Sequence, residues 1–439
     1  MVRRRREGSF TSSVGDRAPV PRSGRVRDRL VVALGLALSM VAACTANERP
    51  PSVSVGPSSS PPIPPAPDRA LVARCDGVRV GPRADLQAVI DGHPEGTTFC
   101  VRPGVHKVAD GVRVRSGDRL IGARGAVLDG LGVAPYGIYG FGTETGQNDV
   151  RVEGLVIQNV DGPGVKAGWN WRMEGIESRR NEVGVMLNRG SILRGSAIHH
   201  NTRYGVLAGP SRGVRIVSNE VAFNNTADFC GGSCEGDAGG SKIVGSVQGT
   251  YGVVWRRNWV HDNTGNGIWS DGNVHDALYE QNVVESNSGS GIFHEISWDA
   301  TIRKNVVRGN ATASIGSSCW WGAQVQVNNS QNVVIVDNDI DARNGANGVC
   351  VVDAVRPQTA PFSDRLASVD VTRNTIRIAS PGTSGLVGRT ARDIRFDRNR
   401  YEVADLTGAF WAWLDRYPIT WSEFRIRSGE TRGSRSLIP

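Results

Sequence analysis

The feature that most constrains this chain of 439 residues is a repeat with a period of 23–24 residues. Two series of asparagines carry it, Asn258–Asn282–Asn305 and Asn263–Asn287–Asn310, each with steps of 24 and then 23 residues. The same short runs of β-branched residues ending in Asn recur on both sides, at Val150–Asn159, Met173–Asn181, Ile192–Asn201, Val214–Asn219, Val333–Asn338, Val369–Asn374 and Ile394–Asn399. A fixed period of this length indicates a solenoid or a related repeat architecture.

The repeat unit predicts short strands and no helices. Its β-branched runs alternate with polar residues, are interrupted by Asn or Gly, and are not separated by any helical period. Asn suits a sharp turn because it tolerates the left-handed conformation, and in stacked coils its side-chain amide can bond the Asn of the next coil. We therefore predict an all-β, single-stranded right-handed parallel β-helix. The L-x-x-L-x-L pattern of leucine-rich repeats is missing, and a β-propeller needs longer blades.

Both ends of the repeat region predict caps, which solenoids need. Residues 83–91 form an amphipathic pattern that indicates a short helix, and a strand pattern follows it. This opening, and the region from about residue 70 to 405, resembles the β-helices of the pectate-lyase-like superfamily. Residues 406–439 lose the repeat and become rich in aromatic residues, which indicates a C-terminal cap.

The N-terminal segment predicts export. Residues 1–43 contain nine Arg and three acidic residues, so they carry +6 of the net charge of +8 and leave about +2 for the other 396 residues. The body therefore shows no sign of a nucleic-acid partner. A short apolar run, Leu30–Ala43, fits a signal peptide, and Val41-Ala42-Ala43-Cys44 resembles a bacterial lipobox, which implies a lipid on Cys44. An ordinary signal peptide with an incidental Cys is the alternative.

The rest of the N-terminal region predicts a tethered protein. Residues 44–69 are rich in Pro and Ser, which is typical of an extended linker between an anchor and a folded body. We expect a protein on the outer face of the cell membrane, or a secreted one. The capped ends favour a monomer.

The seven cysteines also fit an oxidising compartment. If Cys44 carries lipid, six remain, and the loops suggest the pairs Cys75–Cys100, Cys230–Cys234 and Cys319–Cys350, although six cysteines allow fifteen pairings. Cys230-x3-Cys234 could instead begin a zinc site. No second pair has metal-site spacing, so we predict no metal.

Two acidic residues stand out as candidate catalytic groups. Asp271 and Glu295 are 24 residues apart and occupy the same position in two successive strand patterns. On neighbouring coils both would point outward, with carboxyls on the order of 5 Å apart. Retaining glycosidases hold their carboxyl pair about 5–5.5 Å apart. At that separation the two charges disfavour joint ionisation, so one residue can serve as acid and the other as base.

Several residues near this pair are candidates for substrate binding. Aromatic side chains could stack on sugars, amides could bond hydroxyls, and a lysine precedes the Asp271 coil. The residues are Trp269, Phe293, Trp320, Trp321, Gln324, Gln326 and Lys242.

The two coils over 251–310 resemble parallel-β-helix glycosidases of the β-xylosidase type. The motif is Gly-Ile-Trp-Ser-Asp271 followed one coil later by Ile-Phe-His-Glu295. The resemblance implies that Asp271 is the nucleophile and Glu295 the acid/base, with no cofactor. It departs at Ser270, at His294 and in the size of the flanking loops, so it implies no particular substrate.

Three functions remain open on the sequence. The first is a retaining glycoside hydrolase acting on polysaccharide. The second is a polysaccharide lyase or epimerase, in which Lys242, Asp237, Asp271 and Glu295 would supply the base and the charge neutralisation, with Ca²⁺ as a possible cofactor. The third is a non-catalytic carbohydrate-binding surface protein.

Overall fold

The computed structural model describes residues 75–140, 148–229, 238–355, 365–390 and 392–439. The leader, the linker and Cys44 lie outside these residues, as do Cys230, Cys234 and Asp237. The described chain winds through three sheets of thirteen strands each, and each sheet joins strands from successive coils. The pairing is parallel throughout, except that Ala409–Leu414 pairs antiparallel with Arg416–Thr420. None of the described helices is long and apolar enough to cross a membrane.

The strands are assigned to the three sheets as follows. Sheet 1 contains Val78–Val80, Thr98–Val101, Arg119–Gly122, Arg151–Glu153, Arg172–Glu174, Ile192–Arg194, Arg215–Val217, Val254–Arg256, Ala277–Glu280, Trp298–Arg303, Gln331–Val336, Ala367–Thr372 and Ile394–Asp397. Sheet 2 contains Val112–Arg113, Ile138–Tyr139, Pro163–Lys166, Val183–Leu187, Tyr204–Ala208, Gly239–Val244, Ile268–Asp271, Ile292–Glu295, Ala323–Asn328, Asn347–Asp353, Ser384–Gly388, Ala409–Leu414 and Arg416–Thr420. Sheet 3 contains Gly104–Lys107, Ala126–Asp129, Val156–Gln158, Glu177–Arg179, Ala197–His199, Glu220–Ala222, Trp259–His261, Val283–Glu285, Val306–Arg308, Asp339–Ala342, Thr375–Ile378, Arg400–Val403 and Ser434–Leu437. A two-stranded sheet joins Thr250–Tyr251 to Val274–His275.

The repeated asparagines form two buried ladders inside the coil. In the first, each side-chain Nδ2 donates to the Oδ1 of the Asn on the next coil, through Asn219, Asn258, Asn282, Asn305, Asn338, Asn374 and Asn399. The second runs through Asn201, Asn224, Asn263, Asn287 and Asn310. These ladders confirm the predicted stacking. The left-handed residue, however, is the one before each Asn, such as Gln281 and Lys304, with φ of 56° and 54°.

Each ladder ends on a side chain of another type. The first ends at the buried Glu430, whose carboxylate accepts from the Asn399 backbone N–H at 3.1 Å and from Asn399 Nδ2 at 2.7 Å. Burial raises the pKa of Glu430, and the hydrogen bonds from Asn399 oppose this effect. The second ends at Gln324, whose Oε1 accepts from both nitrogens of Asn310 at 2.9 Å. Both ladders therefore have an acceptor at their last rung, which buried donors require.

The two ends of the coil are capped. The N-terminal helix spans Leu86–Asp91, shorter than the predicted 83–91, because Asp85 is its N-cap and accepts from the Ala88 backbone N–H at 3.1 Å. At the C-terminus a second helix, Trp421–Ser428, packs its buried Trp421 and Phe424 on the last coil. Sheets 2 and 3 continue beyond residue 405 into the strands at Ala409–Leu414 and Ser434–Leu437, so the cap is built onto the solenoid sheets.

Two of the three predicted disulfides are present. Cys75 bonds Cys100 beside the N-terminal cap, and Cys319 bonds Cys350 across neighbouring coils. The pair Cys230–Cys234 lies outside the described residues.

Candidate functional site

The two candidate acids lie in direct register on sheet 2. The strand Ile268–Asp271 pairs in parallel with Ile292–Glu295, and Asp271 is the Cα partner of Glu295. Inward positions on these strands are apolar or belong to a buried polar group, whereas Trp269, Phe293 and both acids lie on the outer side. The 24-residue spacing therefore places the carboxylates on neighbouring coils.

The register one coil further differs from the prediction by two residues. Glu295 is the partner of Asn328, and Phe293 is the partner of Gln326. The prediction that Gln324 faces outward is wrong, because this side chain is buried and ends the second asparagine ladder. Gln326 is also fully buried, accepting from Ser290 Oγ at 2.9 Å and donating to Asn328 Oδ1 at 3.1 Å. Neither amide can reach a substrate in this structure, contrary to the prediction.

Lys242 and Asp271 form the accessible part of this face. Lys242 lies one coil before Asp271, on the strand Gly239–Val244, and its Nζ is 3.1 Å from Asp271 Oδ2. The same ammonium lies 3.7 Å from the centre of the Trp269 ring, within cation–π range. The side chains of Lys242 and Asp271 keep 12% and 20% of their surface exposed. We call this pair the Lys242–Asp271 site.

Glu295 lies beside this pair under a cover of aromatic rings. Its Oε2 accepts from the Trp269 indole N–H at 3.2 Å, and the residue is only 4% exposed. Phe293 stacks parallel to Trp269 with ring centres 5.7 Å apart, and Trp321 meets Phe293 edge-on at 5.5 Å. Trp269 and Phe293 are 3% and 1% exposed. These two rings bury one another and offer no face to a sugar, contrary to the prediction.

The loop before the strand Ala323–Asn328 covers this end of the face. It contains the short 3-10 helix Thr312–Ser314 and places Trp321 on Phe293. The Cys319–Cys350 disulfide anchors it to the outer column of sheet 2, where Cys350 is the partner of Gln326. Trp320, the most exposed of the predicted aromatic ligands at 37%, donates its indole N–H to the Tyr417 hydroxyl at 2.9 Å. The loop forms a wall beside the Lys242–Asp271 site.

Removing this disulfide should loosen the wall. The bond closes a separation of 31 residues, for which the chain-entropy estimate is about 3–4 kcal/mol of stability. We expect Cys319→Ser/Cys350→Ser to lower the melting temperature and to increase quenching of tryptophan fluorescence by acrylamide, because Phe293 and Trp269 lose their cover. Cys75→Ser/Cys100→Ser is the matched control and should lower stability without increasing this quenching. Equal quenching in both variants would contradict the assigned role of the wall.

A buried polar group lies inside the coil behind the two acids. The Tyr279 hydroxyl donates to Ser270 Oγ at 2.7 Å and lies 3.0 Å from His294 Nδ1. Burial lowers the pKa of His294 to about 3, so the imidazole is neutral at ordinary pH. His294 and Ser270 have no exposed surface. They therefore belong to the interior of the strands that carry Asp271 and Glu295.

Sequence reasoning missed two relationships at this site. It named Lys242 as a possible substrate contact but did not predict its ion pair with Asp271, which depends on a loop of variable length between their coils. It also missed Asn328, which follows Asp271 and Glu295 in the same outer column and has a buried Nδ2 without a hydrogen-bond partner among the described residues. A correct alignment of the Ala323–Asn328 coil would have identified it.

Comparison with known proteins agrees with this architecture. Residues 110–320 match the family model described as the right handed beta helix region. The chain is a right-handed parallel β-helix protein. No curated protein sequence matches this β-helix.

Solved structures with the same fold cover most of this β-helix. The A-module of the mannuronan C-5 epimerase AlgE6 from Azotobacter vinelandii is 21% identical, covers 83% of this chain over 97% of its own, and gives a TM-score of 0.56. The corresponding AlgE4 module of the same organism is 17% identical over 84% and 98%, with a TM-score of 0.50. A mannuronic acid specific polysaccharide family 6 lyase from human gut microbiota is 12% identical over 82% and 91%, with a TM-score of 0.51. At these identities the likeness establishes the fold.

Proposed function

We propose that this β-helix acts on an acidic polysaccharide by removing the ring proton next to a sugar carboxylate, as a lyase or an epimerase does. The observation that carries the proposal is the Lys242–Asp271 site: a cation and a carboxylate 3.1 Å apart that both keep exposed surface. This reaction needs a positive charge for the substrate carboxylate and a base for the adjacent proton. Lys242 and Asp271 supply one of each.

The proposed first step breaks the C5–H bond of a uronate unit. The proton moves to a carboxylate oxygen of Asp271, and the electron pair of the broken bond spreads into the substrate carboxylate. The Lys242 ammonium stabilises the charge that develops there, which is the electrostatic role with the largest effect in many enzymes. A lyase then expels the C4 oxygen and leaves a double bond, whereas an epimerase returns a proton to the opposite face of C5.

Two of the structural neighbours support this class of substrate. The titles of two related modules describe mannuronan C-5 epimerases, and a third describes a mannuronic acid specific lyase. Among the described residues, no three His, Cys, Asp or Glu side chains lie together as a metal site. The proposal therefore assigns charge neutralisation to Lys242. The two disulfides fit a location outside the cytoplasm, and a lipid anchor at Cys44 remains part of the proposal.

A retaining glycoside hydrolase is the second candidate, favoured by the direct pairing of Asp271 with Glu295. In that mechanism both carboxyls must contact the sugar. Glu295 is covered by the aromatic rings and accepts a hydrogen bond from Trp269, while Asp271 is paired with Lys242. Both arrangements suit proton abstraction at the Lys242–Asp271 site better than attack by a carboxylate pair.

Reaction in deuterated water tests the proposal. The full-length protein is incubated with polymannuronate, polygalacturonate and a neutral glucan, and the products are examined by NMR, ultraviolet absorbance and a reducing-end assay. We expect deuterium at C5 of recovered polymer from an epimerase, or an ultraviolet-absorbing unsaturated end from a lyase. New reducing ends without either signal would identify a hydrolase. Binding of a polysaccharide without any turnover would identify a non-catalytic protein, and both of these results would overturn the proposal.

A further inference from the structure

A column of three arginines lies on the outer face of sheet 1, away from the Lys242–Asp271 site. Arg119 is the Cα partner of Arg151, and Arg151 is the partner of Arg172, so the three occupy the same position on successive coils. Neighbouring strands place them about 4.8 Å apart. They line a cavity of about 460 Å³ together with Asp149 and Asn170.

The charges in this column are only partly compensated. Arg151 forms ion pairs with Glu153 and, at 3.4 Å, with Glu174. Arg119 and Arg172 are exposed and form no ion pair with any residue that the structure describes. Like charges directly opposite each other on adjacent strands destabilise a sheet. A bound anion would remove this repulsion, which makes the column a candidate anion site.

The acidic groups near the cavity do not cancel this preference. Asp149 lies in the lining, where its Oδ1 accepts from Asn170 Nδ2 at 3.1 Å. Glu153 and Glu174 both point to the middle arginine, Arg151. The two outer arginines therefore keep donors for a ligand whose negative charges are spaced along a chain.

A stack of planar side chains leads from this cavity toward the Lys242–Asp271 site. It occupies the corner between sheets 2 and 1 on six successive coils, and its members are Trp169, Arg189, Arg212, Tyr251, His275 and Trp298. The Arg189 guanidinium lies 5.3 Å from the Trp169 ring, and that of Arg212 lies 4.3 Å from the Tyr251 ring. His275 stacks between Tyr251 and Trp298, with ring centres 4.8 Å apart on both sides. We call it the corner stack.

The corner stack connects the two sites along the solenoid axis. It begins at Trp169, next to the cavity residue Asn170, and reaches His275, four residues after Asp271. Five coil steps correspond to about 24 Å, a length that only an extended ligand could span. The stack also stabilises the corner through its ring and cation–π contacts, which requires no ligand. Its position beside the arginine column is what favours a polymer over a small anion.

We propose that Arg119, Arg151 and Arg172 form a second binding site for an acidic polysaccharide, holding the polymer several coils away from the Lys242–Asp271 site. Guanidinium groups bind carboxylates through two parallel hydrogen bonds, and a row of them at strand spacing suits a chain of carboxylated sugars. The identity of the polymer rests on the proposed function, whereas binding at this column does not depend on turnover.

The test compares two charge-matched double variants of the full-length protein. Arg119→Gln/Arg172→Gln removes the two arginines without ion pairs, and Arg257→Gln/Arg392→Gln removes two exposed arginines outside the cavity. Binding of polymannuronate is measured by calorimetry at low and high salt. We expect the first variant to lose about tenfold in affinity, and the control to bind within twofold of the parent. Salt should weaken binding of the parent more than binding of the first variant, because screening acts on exposed charges.

Separate outcomes distinguish this inference from the proposed function. A Lys242→Met variant without turnover should still show the loss of affinity when Arg119 and Arg172 are replaced. Wild-type affinity in the Arg119→Gln/Arg172→Gln variant would overturn the second site, whatever the catalytic result. Tighter binding of a double-stranded DNA of equal charge than of polymannuronate would also overturn it, since the column would then be a general polyanion surface.

Discussion

Replacing Lys242 by Met is expected to reduce turnover of an acidic polysaccharide by about 10²–10³-fold, the cost of removing one preorganised charge from an active site. Met keeps most of the length of the side chain over Trp269, where the ammonium now lies 3.7 Å from the ring centre. It removes the only group of the Lys242–Asp271 site that can neutralise a substrate carboxylate. The rate is measured as deuterium incorporation at C5, which reports proton removal in a lyase and in an epimerase alike.

The control for this prediction is Lys304→Ala. Lys304 is an exposed lysine in a turn after sheet 1, and it contacts neither Asp271 nor the aromatic wall. Its replacement should leave turnover unchanged, and both variants should melt within a few degrees of the parent protein. If Lys242→Met retains more than a tenth of the parent rate while Asp271→Asn is inactive, Asp271 acts without Lys242 and the assigned role of the lysine is wrong.

The architecture was accessible from the sequence because its period is a direct physical consequence of the fold. An Asn that bonds the Asn one coil above must recur once per coil, so Asn258, Asn282 and Asn305 reveal both the coil length and the register. The same logic placed Asp271 beside Glu295, since no insertion interrupts the two coils that carry them. Register is thus predictable wherever the coil length stays constant.

The prediction failed where the coil length changes. Between Glu295 and the next strand of sheet 2 the chain inserts the loop with Cys319, and an alignment on Gly322 displaced the register by two residues. Gln324 was therefore assigned to the outer face although it continues the asparagine ladder inside. A shift of two residues preserves the inward and outward alternation, which is why Gln326 still falls in an outer column.

The environment of each side chain depends on contacts that no spacing encodes. The Lys242–Asp271 pair joins two coils across a long insertion, and the cover over Glu295 depends on where Trp321 packs. The arginine column could have been found from the sequence, because Arg119, Arg151 and Arg172 occupy equivalent positions before Val or Leu or Met in successive strands. It was missed because attention rested on carboxylates and aromatic residues.

Replacing Asn282 by Leu is expected to produce the largest loss of stability in the solenoid. The Asn282 side chain is buried; its Oδ1 accepts from the Asn258 backbone N–H at 3.0 Å and from Asn258 Nδ2 at 2.9 Å. Its Nδ2 donates to the Trp255 carbonyl and to Asn305 Oδ1, both at 3.0 Å. Leu would satisfy none of these groups, and each buried polar group left unpaired costs about 1–3 kcal/mol.

We therefore expect Asn282→Leu to lower the free energy of unfolding by about 4 kcal/mol or more, seen as a clear drop in melting temperature by calorimetry. Asn188→Leu is the matched control, because the Asn188 side chain is half-buried and accepts from the Arg189 backbone N–H at 2.8 Å, where water can replace it. That variant should lose no more than about 1 kcal/mol. Equal losses in the two variants would show that the ladder contributes no more than an ordinary turn, because burial, rather than the number of hydrogen bonds, is what makes each rung of the ladder costly to break.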